Sequence, residues 1–381
     1  MNPTRFAQHL KRIQPELRVQ KLSAAIVESG NVVWKNDSAT TPYPIASVTK
    51  TMTAVLVMQL SEQGRLTLDL NTRRILSHTA DGTPGEEYLY NGIIFNSLTS
   101  VVEKAGGKPF AEQLADRIFR PLHMSQTTAP PGTRATNGVI STTADLATYA
   151  IALDGGKLVS AKSKQAMFTP TNSTRGTILP YGLGWFSQTY LSERVVWHYG
   201  QDAGAGSLFL KIPARKLTLI VLSDSNVISD AARLLDGNVA RSPIALAFFQ
   251  DVAFPNRTPN AFERDELENR ALIAFHFGRR DESTTLIKEA LAKFPEMESS
   301  DDLTLLGLLA QLQLPETEPC ATAVLRAHPS LPPAWYYYGR YLLKARRYRE
   351  ATASFKKITE HEPPWHNWSV EAAKEELKQL Q

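Results

Sequence analysis

Pro44-Ile45-Ala46-Ser47-Val48-Thr49-Lys50-Thr51-Met52-Thr53-Ala54-Val55-Leu56 is the most informative stretch of the chain. Met52, Val55, Leu56 and Leu60 recur at the helical period, which predicts a helix over 48–63 with Gly64 as its stop. Ser47 and Lys50 form an S-x-x-K pattern at its start. One helical turn sets Lys50 beside Ser47 on the same face. The helix N-terminus adds exposed N–H groups and a positive field, both suited to an alkoxide or oxyanion. A lysine amine next to a serine hydroxyl can accept or relay its proton. The pattern alone discriminates little, because Ser354-Phe355-Lys356-Lys357 carries it too. There the expected reading is a solvated helix face.

Before this helix, Leu22 to Val27 and Asn31 to Lys35 are predicted strands around a turn at Ser29-Gly30. After it, helices are predicted near 93–105, 109–118, 143–153 and 160–167, and strands at 182–188, 194–199, 206–212 and 217–223. Two early strands and four late ones, separated by helices, imply an α+β fold. Its antiparallel sheet is flanked by helices and brings the ends of this region together; an alternating βαβ parallel fold fits this order of elements less well.

The S-x-x-K stretch, followed by Leu60-Ser-Glu-Gln-Gly-Arg-Leu-Thr-Leu-Asp69, resembles the nucleophile region of serine β-lactamase-like hydrolases. That superfamily includes class C β-lactamases, penicillin-binding proteins, D-aminopeptidases and esterases. Ile75-Leu-Ser-His-Thr79, Asn137-Gly-Val-Ile-Ser-Thr-Thr-Ala-Asp-Leu-Ala147 and Tyr181-Gly-Leu-Gly-Trp185 resemble further segments of the family, in family order. The resemblance covers roughly residues 20 to 250. It implies the β-lactamase/transpeptidase-like fold and Ser47 as the nucleophile.

The family's Tyr-x-Asn is matched best by Tyr90-Asn91-Gly92, where glycine takes the usual asparagine place. The resemblance makes Tyr90 the residue that exchanges a proton with the serine, and Asn91 a stand-in for the missing amide. A free tyrosine titrates near 10, so acting as a base requires positive charge, which Lys50 would supply. The alternative is a half-buried structural tyrosine. His198-Tyr199-Gly200 occupies the place of the family's Lys-Thr-Gly. The resemblance implies that the backbone N–H groups of Ser47 and Gln201 form the oxyanion hole. Gly200 would let substrate approach the strand edge. His198 would line the site, orienting the Tyr90 proton or a substrate carboxylate; the alternative is a plain surface histidine. Two stretches depart from the family by being short, between Asp69 and His78 and between Thr79 and Tyr90. They normally help to wall the substrate cleft. Their reduction ranks esterase or D-amino-acid peptidase above true β-lactamase.

From about Asn260 the strand signals stop. Pro295, Pro329 and Pro363 recur every 34 residues, and Trp335, Tyr338, Gly339, Leu342, Tyr348, Ala351, Phe355 and Ile358 resemble a tetratricopeptide repeat. Leu267, Ala271, Ala274 and Ala290 form a fainter copy. In the middle copy Gly307 is displaced and Pro315 and Pro319 interrupt the pattern. Each such hairpin leaves an apolar face that only the next can cover. The expected domains are 1–258, the hydrolase, and 259–381, an all-α repeat domain, joined by a polar linker over Asp251 to Asn260.

Composition closes off other classes. Apolar residues are 43% and charged residues 21%, as in a folded globular protein, which argues against general disorder. A net charge of +4 without a long single-sign run argues against nucleic acid as partner. One cysteine, Cys320, excludes an intramolecular disulfide and a Cys-rich metal site. No H-E-x-x-H is present, and neither a metal nor another cofactor is expected. No membrane span and no signal-peptide core are visible, while the family is often exported, so location stays open. Two functions remain. One is a serine hydrolase acting on a small ester, amide or peptide through an acyl-enzyme on Ser47. The other is an inactive sensor or scaffold that binds a protein or peptide through the repeats.

Overall fold

In the computed structural model, which describes residues 1–36, 38–81, 83–299, 302–359 and 368–380, the first hairpin turns where its sequence demands. Ser29 and Gly30 both take positive φ, 48° and 84°, as a two-residue hairpin turn matched to strand twist requires. The strands are β1 (Leu22–Glu28), β2 (Asn31–Lys35), β3 (Tyr43–Pro44), β4 (Ile140–Ser141), β5 (Phe186–Tyr190), β6 (Glu193–Asp202), β7 (Ala205–Ile212) and β8 (Leu217–Ser223). Six of them form one antiparallel sheet in the order β2-β1-β8-β7-β6-β5. The first strand pairs with the last, Leu22 opposite Ser223 through Glu28 opposite Leu217. This is the antiparallel arrangement expected from two early and four late strands. β3 and β4 form a separate small pair.

The chain divides into two compact units. One comprises Met1–Ser77, Gly92–Thr171 and Pro180–Asp265; the other comprises His78–Asn91, Asn172–Leu179 and Glu266–Gln381. Helices of the sheet unit are α1 (Pro3–Glu16), α2 (Thr49–Glu62), α3 (Leu70–Leu76), α4 (Gly92–Asn96), α5 (Leu98–Gly106), α6 (Phe110–Leu114), α7 (Thr143–Asp154), α8 (Ala161–Phe168), α9 (Val227–Asp230) and α10 (Pro243–Phe248). The helix expected over 93–105 is broken at Ser97, whose hydroxyl donates to the Ile94 carbonyl at 2.7 Å and competes with the helical ladder.

The helix predicted from the period of Met52, Val55, Leu56 and Leu60 forms as α2, and every residue from Thr49 to Met58 is buried. α2 is a central helix, and its threonines satisfy themselves on carbonyls: Thr51 on Val48 at 2.8 Å and Thr53 on Ala135 at 2.7 Å. The strand expected from 182 starts only at Phe186, because the Gly182 N–H turns back to the Trp185 carbonyl at 2.7 Å. The stretch expected to be a linker is partly core. Asp251 and Phe254 are buried, and the Asp251 carboxylate meets Arg5 at 2.9 Å and His9 at 2.7 Å on α1.

The helical unit is built from α11 (Glu263–His276), α12 (Arg280–Lys293), α13 (Leu303–Leu312), α14 (Thr317–Ala327), α15 (Pro332–Lys344), α16 (Tyr348–Thr359) and α17 (Trp368–Gln379). One apolar cluster runs through Leu267, Ile287, Leu305, Cys320, Val324 and Tyr337, and a second joins Leu342, Phe355, Ile358 and Val370. Pro315 falls between α13 and α14 and Pro319 in the first turn of α14, where proline removes no helical hydrogen bond. Neither interrupts a helix, although both depart from the repeat pattern. Ser354 is buried and donates to the Trp335 carbonyl at 2.8 Å, so it ties α16 to α15 instead of lying on a solvated face. Pro363, His361 and His366 lie outside the described residues.

Gly339 shows how closely these helices approach. A Cβ there would lie 2.6 Å from Cε1 of the buried Phe355 ring. Gly339→Ala is expected to destabilise the helical unit by about 1–3 kcal/mol through overpacking. Denaturant unfolding followed by far-UV circular dichroism at the helical band checks this; an unchanged midpoint would show that the ring moves aside freely.

Candidate active site

The turn that carries Ser47 begins where β3 ends. The Ile45 N–H donates to the Val139 carbonyl at 3.0 Å, and the Ile45 carbonyl accepts the Ser207 hydroxyl of β7 at 2.8 Å. Ala46 then takes φ +44°, a left-handed conformation that costs a residue with a Cβ about 1–2 kcal/mol. Alanine is small enough to accept it, and the kink leads into a 3-10 turn over Ala46–Val48 that joins α2. Ser47 stands half-buried at this junction.

One turn on, the Lys50 ammonium is buried, with Nζ donating to Ser47 Oγ at 2.9 Å. It also reaches the Thr136 carbonyl at 3.4 Å and lies 5.4 Å from the centre of the Phe95 ring. Burial pulls its pKa from 10.5 down to about 7. Near neutral pH a substantial share of Lys50 is therefore the free amine, able to take the Ser47 proton. The carbonyl it touches is held in place: the Thr136 hydroxyl donates to Asn96 Oδ1 at 2.5 Å and the Ala135 N–H to Thr99 Oγ1 at 2.9 Å. Asn96 and Thr136 are not legible as functional from motifs. The available signal is position, since Thr136 directly precedes the Asn137-Gly-Val-Ile-Ser segment.

β6 packs against the other side of the turn that carries Ser47. A Cβ on Gly200 would fall 2.2 Å from Ser207 Oγ, 2.3 Å from the Ile45 carbonyl and 3.1 Å from Ala46 Cβ. The glycine thus lets the turn itself press against the strand. His198, two residues earlier and on the same face, is fully buried, so it is not a surface histidine. Its Nδ1–H donates to the Tyr199 carbonyl at 2.6 Å, which leaves Nε2 to accept the Tyr181 hydroxyl at 2.7 Å. Burial first, and the Lys50 charge second, hold its pKa well below 6.5, so it is neutral. Its hydroxyl partner is Tyr181, a residue of the Tyr181-Gly-Leu-Gly-Trp185 segment. The Gln201 side chain is exposed and donates to Asp230 at 3.1 Å.

Ser47, Lys50, His198, Gly200 and Gln201 all belong to the sheet unit, whereas Tyr90 and Asn91 belong to the helical unit. There the Tyr90 ring lies 4.4 Å from the His78 imidazole. Asn91 is buried; its N–H donates to His78 Nδ1 at 3.1 Å and its amide to Asp81 at 2.9 Å. Among the described residues no cluster of His, Cys, Asp and Glu has the arrangement to hold a metal ion. None of the described helices is long and apolar enough to cross a membrane.

The chain is 25% identical to Penicillin-binding protein 4* of Bacillus subtilis (strain 168), over 37% of this chain and 40% of that protein. It therefore spans less than half the length of that curated relative. Its fold is similar to the octameric penicillin-binding protein homologue from Pyrococcus abyssi, with a TM-score of 0.57 at 19% identity, covering 70% of this chain and 82% of that one. It is also similar to the D-stereospecific amidohydrolase from Streptomyces sp., with a TM-score of 0.51 at 18% identity, covering 61% and 98%. At these identities the structures establish a shared fold. The family profile described as Beta-lactamase matches residues 6–71 and 69–240, more than half of the chain. The strand order, the S-x-x-K helix and this match agree, and the chain belongs to the Beta-lactamase family of serine hydrolases, whose fold it shares with penicillin-binding proteins.

Proposed function

We propose that the chain hydrolyses an ester or amide carbonyl through an acyl-enzyme on Ser47, as an esterase or D-amino-acid peptidase in preference to a true β-lactamase. The observation that carries this reading is the buried Lys50 amine, 2.9 Å from Ser47 Oγ with its pKa at about 7. A base so placed matches the proton affinity the step needs at neutral pH. Ser47 Oγ gives its proton to Lys50 and bonds to the carbonyl carbon. The oxyanion is held by the N–H groups of Ser47 and Gln201. As the carbonyl re-forms, the bond to the leaving alcohol or amine breaks and that group takes the proton back. The family resemblance gives Tyr90 a share in this relay. Water, deprotonated by the same groups, then adds to the acyl carbon, releasing the acid and restoring the Ser47 hydroxyl.

His198 acts through Tyr181, whose hydroxyl it accepts. The preference among substrates follows from the short segments before His78 and Tyr90, which leave little chain to wall a cleft. The names of two proteins of similar fold, the D-stereospecific amidohydrolase and the D-amino acid amidase from Ochrobactrum anthropi SV3, support D-amino-acid amides as a class to try. The test is intact-protein mass spectrometry after exposure to p-nitrophenyl acetate, a D-Ala-D-Ala dipeptide ester and benzylpenicillin. An adduct mapped to Ser47 that turns over with the ester or dipeptide, and persists or fails to form with penicillin, is the expected result. Rapid penicillin turnover would reverse the ranking, and adducts only elsewhere would sink the mechanism.

A further inference from the structure

Two consecutive residues at the end of α4 bear on Lys50. The Phe95 ring lies with its centre 5.4 Å from Nζ. Asn96 acts one step further out. Its Oδ1 accepts from the Thr136 hydroxyl at 2.5 Å and from the Thr136 N–H at 3.3 Å. The Thr136 carbonyl in turn accepts from Lys50 Nζ at 3.4 Å. Lys50, Phe95, Asn96 and Thr136 all belong to the sheet unit.

The segment that offers this carbonyl is a closed turn. The Arg134 N–H donates to the Asn137 carbonyl at 3.0 Å, and the Asn137 N–H to the Arg134 carbonyl at 3.2 Å. Inside it, Ala135 is tied to α5 by its N–H on Thr99 Oγ1 at 2.9 Å and to α2 by the Thr53 hydroxyl on its carbonyl at 2.7 Å. Asn96 grips the next residue, Thr136, by hydroxyl and N–H with one oxygen. A buried ammonium is tolerated where acceptors and an aromatic face replace its water. Holding the carbonyl toward Lys50 therefore favours the protonated lysine, and releasing it favours the free amine. The elements around α2 carry other titratable groups. His198 on β6 is buried and neutral. Tyr149 on α7 gives its hydroxyl to Thr51 at 3.4 Å, and Glu103 on α5 accepts the Phe110 N–H at 3.0 Å. Lys104 on α5 and Glu112 on α6 are exposed.

We propose that Asn96 is a positioning residue for Lys50: through Thr136 it fixes the backbone carbonyl that accepts the ammonium, and so governs the exchange of the proton between Lys50 and Ser47. This inference rests on the reading of Lys50 as the base that takes the Ser47 proton.

The experiment is single-turnover acylation of the full chain by p-nitrophenyl acetate, followed from about pH 5 to about pH 9. Asn96→Leu releases the carbonyl and should move the midpoint of the profile down from about 7 by about half a unit, with a plateau about tenfold lower. Thr136→Val should do the same, while Thr136→Ser, which keeps the hydroxyl, should hold the wild-type midpoint. Asn96→Asp keeps an oxygen for the Thr136 hydroxyl and adds a negative charge, so it should move the midpoint up by about one unit. Should Asn96→Leu fail to fold, Thr136→Val and Asn96→Asp carry the test. A lower rate with an unmoved midpoint in the Asn96 and Thr136 variants overturns the inference, because a merely structural role would do just that. Shifts in the same direction for Asn96→Leu and Asn96→Asp overturn it as well. Wild-type acylation without a step near pH 7 removes Lys50 as the base, and the inference with it.

Discussion

Ser47→Ala is expected to abolish acylation and to lower ester hydrolysis roughly 1000-fold or more, with Lys50→Met nearly as damaging. The two act as a unit, so the double variant should be little worse than either. The dependence on pH distinguishes Lys50 as a base from Lys50 as a mere positive charge. Burial lowers its pKa from 10.5 to about 7, so acylation by wild type should rise as pH passes through about 7 and level off above it. Lys50→Arg keeps a cation that never deprotonates at these pH values, and it should stay inactive throughout. Full activity in Lys50→Arg, or a rate that is flat from slightly acidic to slightly basic pH, would exclude the amine as proton acceptor.

The same burial has a stability consequence of definite sign. Below about pH 7 the lysine is protonated both folded and unfolded, so the folded state bears the whole cost of the buried charge. Between about 7 and 10.5 the unfolded chain binds the extra proton, so stability rises with pH across that window. Lys50→Met removes the charge at similar volume. It should unfold later than wild type at about pH 6, by up to about 4 kcal/mol, while losing its activity. Thermal unfolding at about pH 6 and about pH 9 measures the difference, which should shrink at the higher pH.

Gly200→Ala is the second large effect. Its Cβ would meet two fixed groups of the nucleophile turn, the Ile45 carbonyl at 2.3 Å and Ala46 Cβ at 3.1 Å, besides Ser207 Oγ at 2.2 Å. Backbone cannot swing away as a long side chain can. Either β6 or the turn shifts, and the Ser207 bond that holds Ile45 is lost with it. A loss of about 3 kcal/mol is expected from the overpacking, and a displaced Ser47 should acylate about 100-fold more slowly. Gly204→Ala is the control. Gly204 has φ +69° but no atom within 4 Å of its added Cβ, so only backbone strain of about 1 kcal/mol applies. Equal losses in the two variants would mean that contact with the nucleophile turn is not what requires Gly200.

Sequence patterning made the sheet legible because its signals are local. The Ser29-Gly30 turn, the apolar run of β8 and the Gly64 stop of α2 each act within a few residues. The π turn over Ala115–Phe119 after α6 and the break at Ser97 were not legible, since each depends on which donor wins a shared carbonyl. Pro315 and Pro319 break the repeat pattern without breaking a helix, because a loop and a first helical turn accommodate them.

The family, the antiparallel sheet and the Ser47–Lys50 pair were already written in the sequence, because a three-residue spacing on a helix is a local geometric fact. That Lys50 is buried deeply enough to lose its proton at about pH 7 emerged only from the folded chain, since the burial comes from segments as distant as Phe95 and Thr136. The same holds for Gly200, which makes room for the nucleophile turn, and for His198, a neutral buried partner of Tyr181. Tertiary packing also assigned the segment bearing Tyr90 to the helices. That last assignment depends on a carboxylate at Glu87 finding its donors at His328 and Ser330, 241 and 243 residues away, a separation no local pattern can encode.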